Sequence, residues 1–156
     1  MKTLRHLLVM FVVCASLVLT AALAPVARAA GDLPGLQFAV DPRTGEMLQF
    51  QSGPILEGQT TIVSYDSLRL ASPINPDCPP YKYLEGVKGY VMSDNSGRPE
   101  PFQLSGSYLK FGKFTTPACL EGSDTIQIWF VGDSGGDKCY DTNFSRNYVF
   151  PVICKK

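Results

Sequence analysis

The sequence predicts an all-β fold: a two-layer antiparallel β-sandwich, immunoglobulin-like or Greek-key, stapled by two disulfides over residues 31–156. Three observations predict it. Short apolar-alternating segments recur between turn residues, as in chains whose strands are buried on one face. Twelve prolines and fourteen glycines leave no room for a long helix, and no stretch keeps a 3.6-residue apolar period. Four cysteines remain beyond residue 30, an even number suited to a disulfide framework. Strands this short and this frequent fit a sandwich, with an up-and-down barrel as the alternative closure.

The elements follow in order. Leu36 to Val40 alternates, and Asp41-Pro42-Arg43-Thr44-Gly45 turns the chain into a second strand, Met47 to Gln51, which ends at Ser52-Gly53-Pro54. Thr60 to Tyr65 is rich in β-branched residues, with Thr61, Val63 and Tyr65 on one face. Ala71 to Pro80 carries four prolines and reads as a loop. Lys88 to Ser93 is the next strand. It turns at Asp94-Asn95-Ser96-Gly97 into Pro101 to Leu104, and Tyr108 to Phe114 alternates again. The clearest strand is Thr125 to Val131, with Asn147 to Cys154 as its partner. Phe38, Phe50, Phe130 and Phe150 sit among apolar neighbours and read as core.

The N-terminus predicts export. Lys2, Arg5 and His6 precede an apolar run from Leu7 to Leu23, Pro25 breaks it, and Ala27-Arg28-Ala29 matches the pattern of a signal-peptidase site. Residues 1–30 are therefore expected to be a signal peptide, and 31–156 a single secreted or periplasmic domain with no membrane attachment. An uncleaved anchor is the competing reading, because the apolar run nearly suffices to span a bilayer. Removing Lys2, Arg5 and Arg28 from the fourteen basic residues leaves eleven against fourteen acids, a net charge of −3. Without a concentrated basic face, nucleic acid is not an expected partner. The single histidine, His6, lies in the leader, so the mature chain has no imidazole for general-base catalysis or metal ligation.

Cys78, Cys119, Cys139 and Cys154 contain no close pair of the kind structural zinc sites use. Facing Val131 with Asn147 places Cys139 at the tip of the last hairpin and Cys154 opposite residue 124. Cys139 then lies too far from Cys154 and Cys119, since bonded cysteines need Cα atoms within about 7 Å. The expected bridges are Cys78–Cys139 and Cys119–Cys154.

Gly132-Asp133-Ser134-Gly135-Gly136 spells the pentapeptide around a trypsin-like nucleophile, but without histidine it reads as a glycine-rich hairpin loop. Asp133, Asp137, Asp141 and Asn143 offer oxygen ligands, yet they lack the EF-hand spacing and its closing Glu, and Lys138 and Arg146 offset their charge. No nucleophile stands out and no cofactor is implied, so the expectation is a non-catalytic protein.

The segment Tyr140 to Tyr148 carries the most information. Asp141, Asn143, Asn147 and Tyr148 fall in the register Asp-x-Asn-x-x-x-Asn-Tyr, followed by an apolar strand. This resembles the carboxy-terminal motif of starch-binding modules of carbohydrate-binding families 21 and 25, roughly Trp-Asp-Asn-Asn-x-x-x-Asn-Tyr. The chain departs from it with Tyr140 for the Trp and Thr142 for the first Asn. Val63-Ser64-Tyr65-Asp66, Arg69-Leu70, Cys78, Ile128-Trp129-Phe130, Cys139 and Arg146 to Val152 are similar to the recurrent pattern of a bacterial secreted family, the domain-of-unknown-function family 6209. That resemblance spans most of residues 60–152 and implies a β-sandwich without an activity.

The ligand-binding candidates are Trp129, Tyr140 and Tyr148 for stacking and Asp141, Asn143 and Asn147 for hydroxyl groups. Trp129 faces outward if Ile126, Ile128 and Phe130 face inward. The structural alternative is that the Asx side chains cap turns. The expected partner is a polysaccharide, or an extracellular protein docking on Tyr81 and Tyr83 in the loop Pro73 to Tyr83.

Overall fold

Alternation decides which side chains meet, and in the computed structural model it does so strand by strand. The structure describes residues 33–70, 78, 86–94, 96–120, 124–134 and 136–155. The expected leader lies outside the described residues, as does the loop Pro73 to Tyr83 apart from Cys78.

Among the described residues there are ten strands: β1 Gly35–Val40, β2 Met47–Ser52, β3 Ile55–Leu56, β4 Thr60–Asp66, β5 Gly86–Ser93, β6 Glu100–Gly106, β7 Leu109–Thr115, β8 Thr125–Ser134, β9 Asp137–Asp141 and β10 Tyr148–Ile153. They hydrogen-bond in the order β2-β1-β4-β7-β6-β5-β8-β10-β3, with β9 also on β8. The sheet doubles over so that its halves face each other. Phe38 on β1 meets Phe130, Tyr148 and Phe150 from β8 and β10, with ring centroids 4.7, 5.0 and 6.0 Å away. Tyr65 on β4 lies 4.0 Å from the Phe130 ring. Inward residues Leu36, Val63, Val87, Val91, Phe102, Leu104, Ile126 and Ile128 complete the core.

The expected two-layer, all-β architecture is present, but the sheet is mixed rather than wholly antiparallel. β1 pairs parallel with β4, and β10 parallel with β3. The cause is the two-residue strand β3. After the β1–β2 hairpin the chain crosses at Gly53-Pro54 to the far end of the strand order, then returns through Gly58, at φ +72°, to run beside β1. Two residues carry no legible period, so neither β3 nor the parallel pairing could be read from the sequence. The first hairpin turn is as expected: Asp41 Oδ1 accepts from the Arg43 amide at 2.8 Å, and Gly45 takes φ +72°.

Phe50 departs from the expected core. It stands 53 % exposed on edge strand β2, because the inward positions of the β1–β2 ribbon are filled from β1. The close packing of β5 on β6 depends on Gly89, since a Cβ there would lie 2.0 Å from the Phe102 ring.

The disulfides are Cys78–Cys139 and Cys119–Cys154, with Cα separations of 5.1 and 5.8 Å. The hairpin that selected them is built differently from the expected one. β8 reverses at its tip into β9, pairing Ser134 with Asp137 and Gly132 with Cys139. The return strand then loops out over residues 142–147 and rejoins β8 as β10, pairing Tyr148 with Ile128. Cys139 is thus inward, beside the tip rather than at it.

Candidate functional site

The looped-out residues determine where the predicted site residues go. Asn143, Phe144, Ser145 and Asn147 all take positive φ, at 46°, 57°, 65° and 56°. Three consecutive left-handed residues cost L-amino acids roughly 1–2 kcal/mol each. Local bonds hold the turn: the Thr142 carbonyl accepts from the amides of Arg146 and Asn147 at 3.0 and 2.8 Å, and Asn143 Nδ2 donates to the Asn147 carbonyl at 3.1 Å.

Strand alternation on either side of this turn divides the six candidates. Asp141 and Tyr148 point inward and are buried, at 4 % and 3 % exposure. There they join Tyr65 and Arg69, the latter on a 3₁₀ turn, Ser67–Arg69. Asp141 Oδ2 accepts from Arg69 Nε and from Tyr65 OH, both at 2.9 Å, while Tyr148 OH donates to Asp141 Oδ1. Arg69 Nη2 donates to Tyr148 OH at 2.6 Å, and Nη1 to the carbonyls of Ala39 and Leu48 at 2.7 and 2.9 Å. Arg69 is only 1 % exposed, yet its charge is compensated. Burial, the largest influence, lowers its pKa, and the neighbouring Asp141 and Tyr148 together more than offset it, so the pKa is raised. Burial and then Asp141 push Tyr65 well above the usual tyrosine value, and Tyr148 upward in the same way. Both phenols are therefore neutral donors. This cluster joins β1, β2, β4, the 3₁₀ turn, β9 and β10, and its four side chains are all buried. The sequence motif that set Asp141 and Tyr148 beside Asn143 and Asn147 mixes inward with outward positions.

Trp129 and Tyr140 point outward. Trp129 stacks on Tyr90 of β5, ring centroids 5.4 Å apart and planes 7° from parallel. Register builds three rows across this face. One row is Pro101-Tyr90-Trp129, the next is Gln103-Lys88-Val131-Tyr140, and the last is Gly86-Asp133-Lys138. Between them lies an open trough of about 650 Å³, lined chiefly by Gly86, Lys88, Tyr90, Gln103, Asp133 and Lys138. Its room comes from glycine, because an added Cβ at Gly86 or Gly136 would meet nothing within 4 Å. At the Trp129 end, Asn147 Nδ2 donates to Gln127 Oε1 at 2.9 Å and Gln127 Nε2 to Asp94 Oδ1 at 2.7 Å. Both asparagine amides of the candidate set are thus used in holding the turn and its neighbours.

Lys88, Tyr90, Gln103 and Lys138 were not singled out from the sequence. Their signal was position: each lies on the outward parity of a strand that flanks Trp129 or Tyr140. Pairing register was needed to see it. The set of oxygen-ligand candidates is also divided, since Asp141 is internal while Asp133 Oδ1 accepts the Gly136 amide at 3.2 Å within the hairpin tip. Of the Gly132 to Gly136 pentapeptide, Gly132 to Ser134 end strand β8, and Gly136, at φ +103°, leads into β9. Among the described residues all four cysteines are bridged.

A second outward feature lies on the opposite half of the sheet. Phe50, Gln37, Ser64 and Phe111 form one row across β2, β1, β4 and β7, with Ile62 beside it. A shallow depression of about 280 Å³ lies among them. Comparison of the chain with known protein families, curated proteins and solved structures gives no match.

Proposed function

We propose that this is a secreted, non-catalytic binding module whose ligand is a polysaccharide, taken on the outward face of β6, β5, β8 and β9. The observation that carries this reading is the trough itself, flanked by the stacked Tyr90–Trp129 pair and Tyr140 and bordered by hydrogen-bonding side chains. Saccharides are recognised where amphipathic aromatic groups stand beside a few fixed polar ones. The starch-module resemblance supports the same ligand class and the same end of the molecule. Residues carried forward from the sequence are Trp129 and Tyr140, joined now by Lys88, Tyr90 and Gln103.

The test is a glycan-array and insoluble-polysaccharide screen of the oxidised protein beside Tyr140→Ala and Gly86→Leu variants. Tyr148→Ala is uninformative, because it opens the buried cluster. Retention by a polysaccharide, weakened at least about tenfold in both variants, is the expected result. Retention unchanged in both would place any sugar site elsewhere.

A protein-docking reading draws on a different observation, the exposed Phe50, Ile62 and Phe111 beside an edge strand, β2, that bears no charge over Met47–Ser52. It requires a defined partner whose binding is lost on changing Phe50 and Phe111 to Ala.

A further inference from the structure

We infer that the polysaccharide taken by the trough is anionic, bearing carboxylates or sulfate esters; this rests on the reading of that face as a saccharide site. The trough is lined by two ammonium groups, Lys88 and Lys138, and one carboxylate, Asp133. Among the described residues the ion pairs are Arg43–Asp41 and Arg69–Asp141, so neither trough lysine is neutralised by a described partner. Lys88 stands between Gln103 and Val131, neither of which bears charge. Asp133 faces Lys138 across the hairpin, and its Oδ1 is occupied by the turn amide of Gly136.

Lysine brings three donors and no acceptor, so the polar groups available to a ligand here favour acceptors carrying negative charge. The excess is local. The mature chain is expected to be net acidic, and two ammonium groups against one carboxylate leave this concave face with a net positive charge against that background. Lys88 and Lys138 are two strands across and two residues along, roughly 12 Å between Cα atoms at ordinary sheet spacings. A polymer with regularly placed anions reaches both while lying along the trough past Tyr90.

The experiment is affinity electrophoresis of the oxidised protein in gels holding polygalacturonate, heparin, amylose or dextran, with oligothymidylate and polyglutamate as non-saccharide anions. Variants are Lys88→Gln, Lys138→Gln and the pair together, with Lys113→Gln on β7 as the control outside the trough. The expected result is retardation by polygalacturonate or heparin, whichever carries the matching anion. It should weaken with added salt and fall about tenfold in the double variant, with little change in the control. Retardation by amylose or dextran that ignores both lysines would overturn the anionic assignment and leave the saccharide reading standing. Absence of retardation by every polysaccharide would overturn both. Equal retardation by oligothymidylate or polyglutamate would also overturn it, because the trough would then be selecting charge and not sugar.

Discussion

A buried guanidinium is stable only where its charge and its donors are met, and Arg69 meets that condition through Asp141, Tyr148 and the carbonyls of Ala39 and Leu48. Removing one partner of such a pair leaves the other uncompensated. Asp141→Ala is expected to lower stability by about 3–5 kcal/mol, read as a reduced urea midpoint with unchanged slope. Tyr65→Phe, which removes one donor to the carboxylate, should cost about 1.5–3 kcal/mol. The same cluster sets a pH response. Tyr65 and Tyr148 hold their protons more tightly in the fold than in the unfolded chain, where the phenol ionises near 10.0. Above that pH the native state binds more protons than the unfolded state, so stability is complete below about pH 10 and falls as pH rises further. Urea midpoints measured from neutral to strongly alkaline pH should show this decline, and Tyr65→Phe should reduce it. Arg69 and Asp141 were readable only as members of a sequence pattern. Their pairing across 72 residues is a property of the folded chain.

At the scale of elements, most strands were legible because one face of each is buried. Thr61, Val63 and Tyr65 do share the inward face of β4, and Ile126, Ile128 and Phe130 that of β8, which turns Trp129 outward. The return strand was legible only in part. Asn147 to Cys154 alternates and was read as a strand. The short β9, with two aspartates and a lysine among five residues, resembles a loop in composition and is held in the sheet by β8. The left-handed turn between β9 and β10 had no signal beyond its Asx residues, which suit such a conformation but do not require it. Its strain gives a prediction. Ser145→Gly should stabilise the protein by about 1 kcal/mol, since glycine adopts a φ of 65° without the Cβ penalty; thermal unfolding checks this. Gly89→Ala should do the reverse, by about 1–3 kcal/mol, because its Cβ enters the Phe102 ring.

Across the whole molecule, the described residues from Leu33 onward form one compact unit cross-linked at separations of 61 and 35 residues. In the chain-entropy description each bridge removes about 4 kcal/mol of unfolded-state freedom, so reduction should lower the urea midpoint markedly, as comparison of oxidised and reduced protein would show. The β class was visible from alternation; the disulfide pairing is as expected, although the Val131–Asn147 hairpin from which it follows is replaced by β9 and β10. The trough was not visible, because Lys88, Gln103 and Lys138 belong to three strands far apart in sequence and become neighbours only through the β6-β5-β8-β9 register. Trp129, the only tryptophan of the chain, stands beside that trough and makes its emission a direct reporter of the face. The decisive measurement is therefore a fluorescence titration of the oxidised protein with acidic and neutral polysaccharides, alongside Gly86→Leu, whose added side chain enters the open trough. A saccharide site on this face predicts a saturable change in Trp129 emission for the native protein and its loss in Gly86→Leu at an unchanged urea midpoint. Emission that stays constant with every polysaccharide, or that responds equally in both proteins, would contradict it.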